Sequence, residues 1–146
     1  MSRLGALALF VGVLVAVPAA SAGVKNACTL VTASDVSSAL SAKVAAGKHQ
    51  SVDGFNTCVY THGTVTVTVK TRLLTQSAYA AVVKSIPGLA LKAADVSDHA
   101  WVYFPKNATA FDDWKHGNEI GFVVVGAGAN AVLIIKQLGK VARGRV

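Results

Sequence analysis

The side chains of this chain able to do acid, base or metal chemistry are few and scattered. Four histidines, His49, His62, His99 and His116, and the acids Asp95, Asp98, Asp112, Asp113 and Glu119 could act as general acid, general base or ligand. Asp98, His99, Asp112, Asp113 and His116 form the candidate set for a small hydrolase or a metal-binding protein, with or without a bound ion. None lies in an H-E-x-x-H motif or pairs with another on a predicted helix, so a site would depend on convergence in the fold. No G-x-S-x-G elbow supplies a nucleophile. Phe122 to Ala131 ends in Gly126-x-Gly128-x-x-Ala131, the form of a dinucleotide fingerprint. That fingerprint needs a following strand and an acid about 20 positions on, which binds the ribose. Only 15 residues follow Ala131 and none is acidic, so no cofactor is expected and the glycines read as a hairpin turn between two strands.

The elements that must position these groups belong to one domain. The chain has 146 residues, 53% of them apolar and 14% charged, with a net charge of +7, and these values exclude a disordered tail, a coiled coil and a multidomain enzyme. Residues 1–22 carry Arg3, an apolar run from Leu4 to Val17, Pro18 and Ala20-Ser21-Ala22. This is the pattern of an export signal cleaved after Ala22, with an apolar core too short to span a bilayer. The remaining 124 residues, 61 of them apolar, suffice to bury a single core. Export to an oxidising compartment makes Cys28 and Cys58 one expected disulfide, closing a loop that stabilises the fold by about 3–4 kcal/mol.

Thr32 and Asp35 are placed as N-cap and N3 of a helix ending near Ala42, with Val36, Ala39 and Leu40 on one face. Phe55–Thr61 and Thr64–Thr71 read as a hairpin turning at His62-Gly63, and Val65, Val67 and Val69 alternate with polar residues. A second helix runs from Thr75 or Ser77 to Ile86 and stops at Pro87-Gly88. Short strands follow at Ala93–Val96 and Ala100–Phe104, then a turn at Pro105–Asn107 and a longer excursion through Asp112, Asp113 and Trp114. Two β-branched runs, Ile120–Val125 and Ala131–Gln137, read as the last strands. The sum is an α+β domain over residues 23–146, with an antiparallel sheet of about six strands and two helices on one face. Both halves can be read as helix then three strands, an αβββ pseudo-repeat.

The run Ala27-Cys28-Thr29-Leu30-Val31-Thr32-Ala33-Ser34-Asp35-Val36 with Ala39-Leu40, then Cys58-Val59-Tyr60, then Val96-Ser97-Asp98-His99-Ala100-Trp101, resembles a family of uncharacterised exported domains. These are common as lipoproteins in actinobacteria, with a C-x-L-L-T-x-x-[DE]-V opening and a second cysteine about thirty residues on. This chain departs from the pattern at Val96-Ser97 and has no lipobox before Cys28. The resemblance implies an α+β sandwich with an N-terminal disulfide and assigns no activity.

Residues 120–138 have a second reading as a membrane anchor, because Ile120–Ile135 lacks charge and Lys136, Lys140, Arg143 and Arg145 follow. Its shortness, Asn130 and three glycines favour folding into the core. The basic surplus is spread along the chain, and the aromatic residues lie in core-like runs, so nucleic acid is not an expected partner. Asn107-Ala108-Thr109 matches a glycosylation sequon, relevant in a eukaryotic host. The composition therefore points to an exported, non-catalytic binding module whose partner is a protein or an anionic polymer of the envelope.

Overall fold

The computed structural model describes residues 24–146, and the expected export segment, residues 1–22, lies outside the described residues. Its elements are α1 (Ala27–Leu30), α2 (Ala33–Leu40), β1 (Lys48–Val52), β2 (Phe55–His62), β3 (Val65–Leu73), α3 (Gln76–Ser85), β4 (Ala90–Lys92), β5 (Trp101–Tyr103), β6 (Thr109–Lys115), β7 (Asn118–Val125) and α4 (Ala131–Arg145). The strands form one seven-stranded sheet in the order β1-β2-β3-β7-β6-β5-β4, antiparallel throughout. The class is α+β as expected, with one strand more than about six and four helices in place of two.

Local chemistry explains the first half. Thr32 accepts from the Asp35 backbone N–H while the Asp35 carboxylate accepts from the Thr32 N–H, a closed capping box. The β1–β2 hairpin turns at Asp53-Gly54, both at positive φ (50° and 78°), the primed geometry that matches strand twist. In β3, Val67 and Val69 are buried while Thr66, Thr68 and Lys70 face the other side. β1 and α1 have no counterpart in the sequence pattern. All five residues of β1 are exposed, so the strand carries no apolar alternation, and α1 is a single turn capped by Asn26.

The second half departs further from expectation. The strand expected at Ala93–Val96 lies instead at Ala90–Lys92, and the segment after it is a turn held by Ala93 N–H donating to Ala100 O. The excursion through Asp112–Trp114 is β6, whose first five residues are all buried. Ala131–Gln137 is not a strand but the opening of the 15-residue α4. Gly126 and Gly128 take φ of 80° and 56° and redirect the chain through a 3₁₀ turn, so the glycine segment joins a strand to a helix, not two strands. Ala131, Ile134, Ile135, Leu138 and Ala142 then make one buried stripe at helical spacing. The αβββ pattern fits only the first half, since the second has four strands and closes on a helix.

Burial is sorted by sheet face. Cys58, Tyr60, Val67, Val69, Phe111, Ile120, Phe122 and Val124 point to one side, where they form the core with α1, α2 and α4. The disulfide between Cys28 and Cys58 ties α1 to β2, with Cα atoms 5.1 Å apart. Phe111 lies so close to Gly139 of α4 that a Cβ there would sit 2.7 Å from its ring. Residues 120–138 are divided between β7 and α4, and no helix among the described residues is long and apolar enough to cross a membrane.

Candidate functional site

Strand alternation separates the five candidate residues. Asp112 and Asp113 are adjacent in β6, so their side chains leave opposite faces of the sheet. Asp113 faces the helices and is fully enclosed: it accepts from Ser97 Oγ at 2.6 Å, from the Trp114 N–H at 2.8 Å and from Arg143 of α4 at 2.9 Å. It is thereby a joint between sheet and α4. Ser97 also accepts from the His99 N–H, which fixes the loop leading into β5. The His99 ring sits edge-on to Trp114, centroids 5.6 Å apart, and its carbonyl accepts from the Tyr79 hydroxyl of α3. Asp98 is exposed beside it, and a groove of about 320 Å³ runs between α3 and this loop, past Tyr79, Val83 and Trp101. His116 lies elsewhere, exposed, in the β6–β7 turn at φ 48° with Gly117. No group of three or more metal-ligating side chains forms among the described residues.

Asp112 is the candidate around which other groups gather, and they come from the sheet itself. Cross-strand register on the face away from the core gives one continuous row, Gln50–Thr57–Lys70–Gly121–Asp112–Trp101–Lys92. Gly121 matters in that row because it has no side chain. A Cβ there would meet Lys70 Cε at 2.4 Å and Asp112 Oδ1 at 2.7 Å, so the lysine stem lies across the glycine toward the aspartate. On the adjoining row Arg72 pairs with Glu119, and Arg72 and Lys70 both sit over the Phe55 ring, 4.2 and 4.9 Å from its centroid.

The electrostatics follow from burial. Asp112 is 2% exposed, and desolvation pushes its carboxyl up to about 6 against the opposing pull of Lys70 and the Tyr103 hydroxyl, which donates to Oδ2 at 2.6 Å. Its Oδ1 has no hydrogen-bond partner among the described residues. Glu119, 1% exposed, is matched by Arg72. Burial, aided by the neighbouring carboxylates, drives the Tyr79 and Tyr103 phenols well above their usual range, so both stay neutral donors. Lys70, by contrast, has no carboxylate oxygen within 4.0 Å among the described residues.

α3 borders this same face beside Trp101, with Tyr79 near enough to Asp112, Glu119 and Tyr103 to feel their charge. Over β1, β2 and β3 none of the described elements covers the face, which holds a groove of about 360 Å³ lined by Gln50, Val52, Asp53, Phe55, Val59, Thr68 and Lys70. Its floor is Thr57, buried between Gln50 and Lys70. Apolar walls, two hydroxyls, one amide, one ammonium and the Asp53 carboxylate make a surface suited to holding a molecule with an apolar body and polar groups. By sequence, Lys70 reads as one more residue of a solvated strand face. The alternation places Thr68, Lys70 and Arg72 together, but their neighbours on β1, β2 and β7 depend on pairing. No family model, no curated protein and no solved structure matches the chain.

Proposed function

We propose that this chain is an exported binding module, cleaved after Ala22, that acts in the periplasm, the cell envelope or the medium by holding an anionic envelope component on the uncovered half of its sheet. The observation that carries the reading is the asymmetry between the two faces. One is closed by α1, α2 and α4 around a full core, while the other is left open over β1–β3 among the described residues and lined with apolar side chains, Lys70 and Asp53. A folded domain leaves such a face uncovered at a cost in stability, which is a reason to assign it to binding. Cleavage after Ala22 removes Arg3 and leaves a net charge of +6, which attracts anions to the whole molecule, and the resemblance to exported domains agrees with the assignment.

Methyl NMR of the exported product, titrated with solubilised envelope extract, tests this. Signals of Val52, Val59, Val123 and Val125 on the open face are expected to shift or broaden, while Val132 and Leu133 of α4 stay unchanged. Perturbation confined to α4, or none at all, overturns the reading. Shifts reversed by protease treatment of the extract point to a protein partner in place of an anionic component.

A further inference from the structure

We infer that the outer edge of β1 is a pairing site for a second copy of this chain, the two β1 strands lying antiparallel about a two-fold axis at Gln50 and joining two sheets into one. The inference goes beyond the binding reading and does not depend on it.

The two ends of the sheet are built differently. β4 has three residues, follows Pro87-Gly88 and ends on Lys92, devices that blunt an edge. β1, at the other end, pairs with β2 through all five of its residues without a bulge, contains no proline and no acid, and is exposed throughout. Such an edge offers its outward N–H and C=O groups as a template for another strand.

The turns decide which groups point outward. A two-residue loop makes its flanking residues a hydrogen-bonded pair, so Val52 bonds Phe55, and alternation continues to Gln50 with Thr57 and Lys48 with Val59. His49 and Ser51 fall between these and aim their backbone groups away from β2. The β2–β3 hairpin gives the same parity, because His62 opposite Val65 makes Cys58 and Asn56 bond β3 and leaves Thr57 and Val59 for β1. No other group bonds the His49 or Ser51 backbone among the described residues. Val24 shares a hollow with Ser51 and Asn56 at the turn end of the hairpin and takes none of these bonds. In the product cleaved after Ala22 only Gly23 precedes Val24, too short a piece to cover the edge.

Register selects a second copy as the occupant. An axis at Gln50 sets Lys48 of one copy against Val52 of the other and His49 against Ser51, so all five residues pair and each His49–Ser51 pair exchanges both of its outward backbone bonds. An axis at Ser51 would draw Asp53, which turns at φ 50°, into the ladder, and one at His49 would set Val52 against Ala46, outside the strand. With the axis at Gln50 no like charges face each other. Lys48 stands one position from Asp53 of the other copy, the acid that lines the groove. Lys48, Gln50 and Val52 share the open face with Thr57 and Lys70, so the groove of each copy runs on across the axis and gains the other's Lys48 at its rim. The contact occupies the β1 edge of both copies and leaves only the blunt β4 ends, so assembly closes at the dimer.

Sedimentation of the exported product over a concentration series tests the inference, at about 0.15 M salt, where a Debye length of about 8 Å screens the repulsion between two copies of charge +6. A monomer–dimer equilibrium is expected. Ser51→Pro removes an outward N–H that β2 does not use, so the hairpin should stay folded while the dimer weakens by about tenfold, each copy losing one bond. Gln50→Glu puts two carboxylates on the axis and should also weaken the dimer, which keeps the test if the proline variant folds poorly. Under mild oxidant Gln50→Cys should crosslink to its own kind, whereas Lys48→Cys and Val52→Cys should crosslink only when mixed. A monomer at every concentration, another crosslinking pattern, or a dimer that ignores both Ser51→Pro and Gln50→Glu overturns the inference. A monomer that instead takes a strand of a different protein on β1 overturns it as well. If the chain is monomeric while envelope extract still moves the open-face methyls, this inference falls and the binding-module reading stands. A dimer of this register whose methyls ignore the extract gives the reverse.

Discussion

Asp112 carries its charge at a cost, because enclosure favours the neutral acid and only Lys70, Arg72 and the Tyr103 hydroxyl oppose it. Its carboxyl rises from 3.8 to about 6 on folding, so the folded state binds the proton more tightly than the unfolded chain does. Stability contributed this way is full below the unfolded value and is lost as pH climbs through the folded one. Urea unfolding is therefore expected to show Asp112 withdrawing roughly 1–3 kcal/mol between pH 4 and pH 6–7, a slope absent in Asp112→Asn. Parallel pH profiles for the two proteins would show that Asp112 is not the group responsible. The residues around it also explain why it is tolerated: Asn at this position keeps the acceptor for Tyr103, and Gly121 keeps the space over which Lys70 lies.

At the scale of elements, the end of α4 is fastened to the start of the fold by Arg145. Its guanidinium donates to both Asp35 carboxylate oxygens, at 2.6 and 3.0 Å, and to Leu30 O at 2.9 Å, so α4 clamps α1 and α2 together. The Arg145 hydrogen bond holds the Asp35 carboxyl down to about 2, with Thr32 helping through the capping box. The sign is opposite to that of Asp112. This stabilisation is present above the unfolded value of 3.8 and disappears as pH falls toward 2. Asp35→Ala removes clamp and cap at once and is expected to cost about 1–3 kcal/mol at pH 7. At pH 2 the variant and the parent should unfold at nearly the same urea concentration. A cost independent of pH would mean that lost packing, not the ion pair, dominates.

For the whole molecule, one crosslink joins the N-terminal turn to the sheet. Cys28 and Cys58 are 30 positions apart, and closing that loop limits the unfolded chain by about 3–4 kcal/mol. That is a large share of the stability of a domain this size. Thermal unfolding with and without reductant, and of the Cys28→Ser, Cys58→Ser double variant, should show a large loss in both cases. Equal midpoints would remove the disulfide from any account of stability. The crosslink lies on the core face, opposite the groove, so its removal should weaken folding before it alters the shape of the open face.

The sequence by itself determined the α+β class, the disulfide, the capping box at Thr32–Asp35, the β2–β3 hairpin and the helix that starts at Thr75 or Ser77, for which the structure selects Thr75 as the cap. Each rests on contacts near in the chain or, for the cysteines, on a pair with no other choice. Ala131–Gln137 reads as a strand because Val132, Ile134 and Ile135 are β-branched, yet it opens α4, whose buried stripe from Ala131 to Ala142 has helical period. The turn at Gly126 and Gly128 and the fit of Phe111 against Gly139 are the tertiary features that favour the helix. Asp112 and Asp113 stand side by side in the sequence, yet the period-two pleat of β6 sends one to α4 and the other to the open face. Lys70 meets Gly121 and Thr57 only because β3 lies between β2 and β7. Strand order is a long-range choice, set by how the helices cover one face of the sheet, and the candidate site exists only once that choice is made.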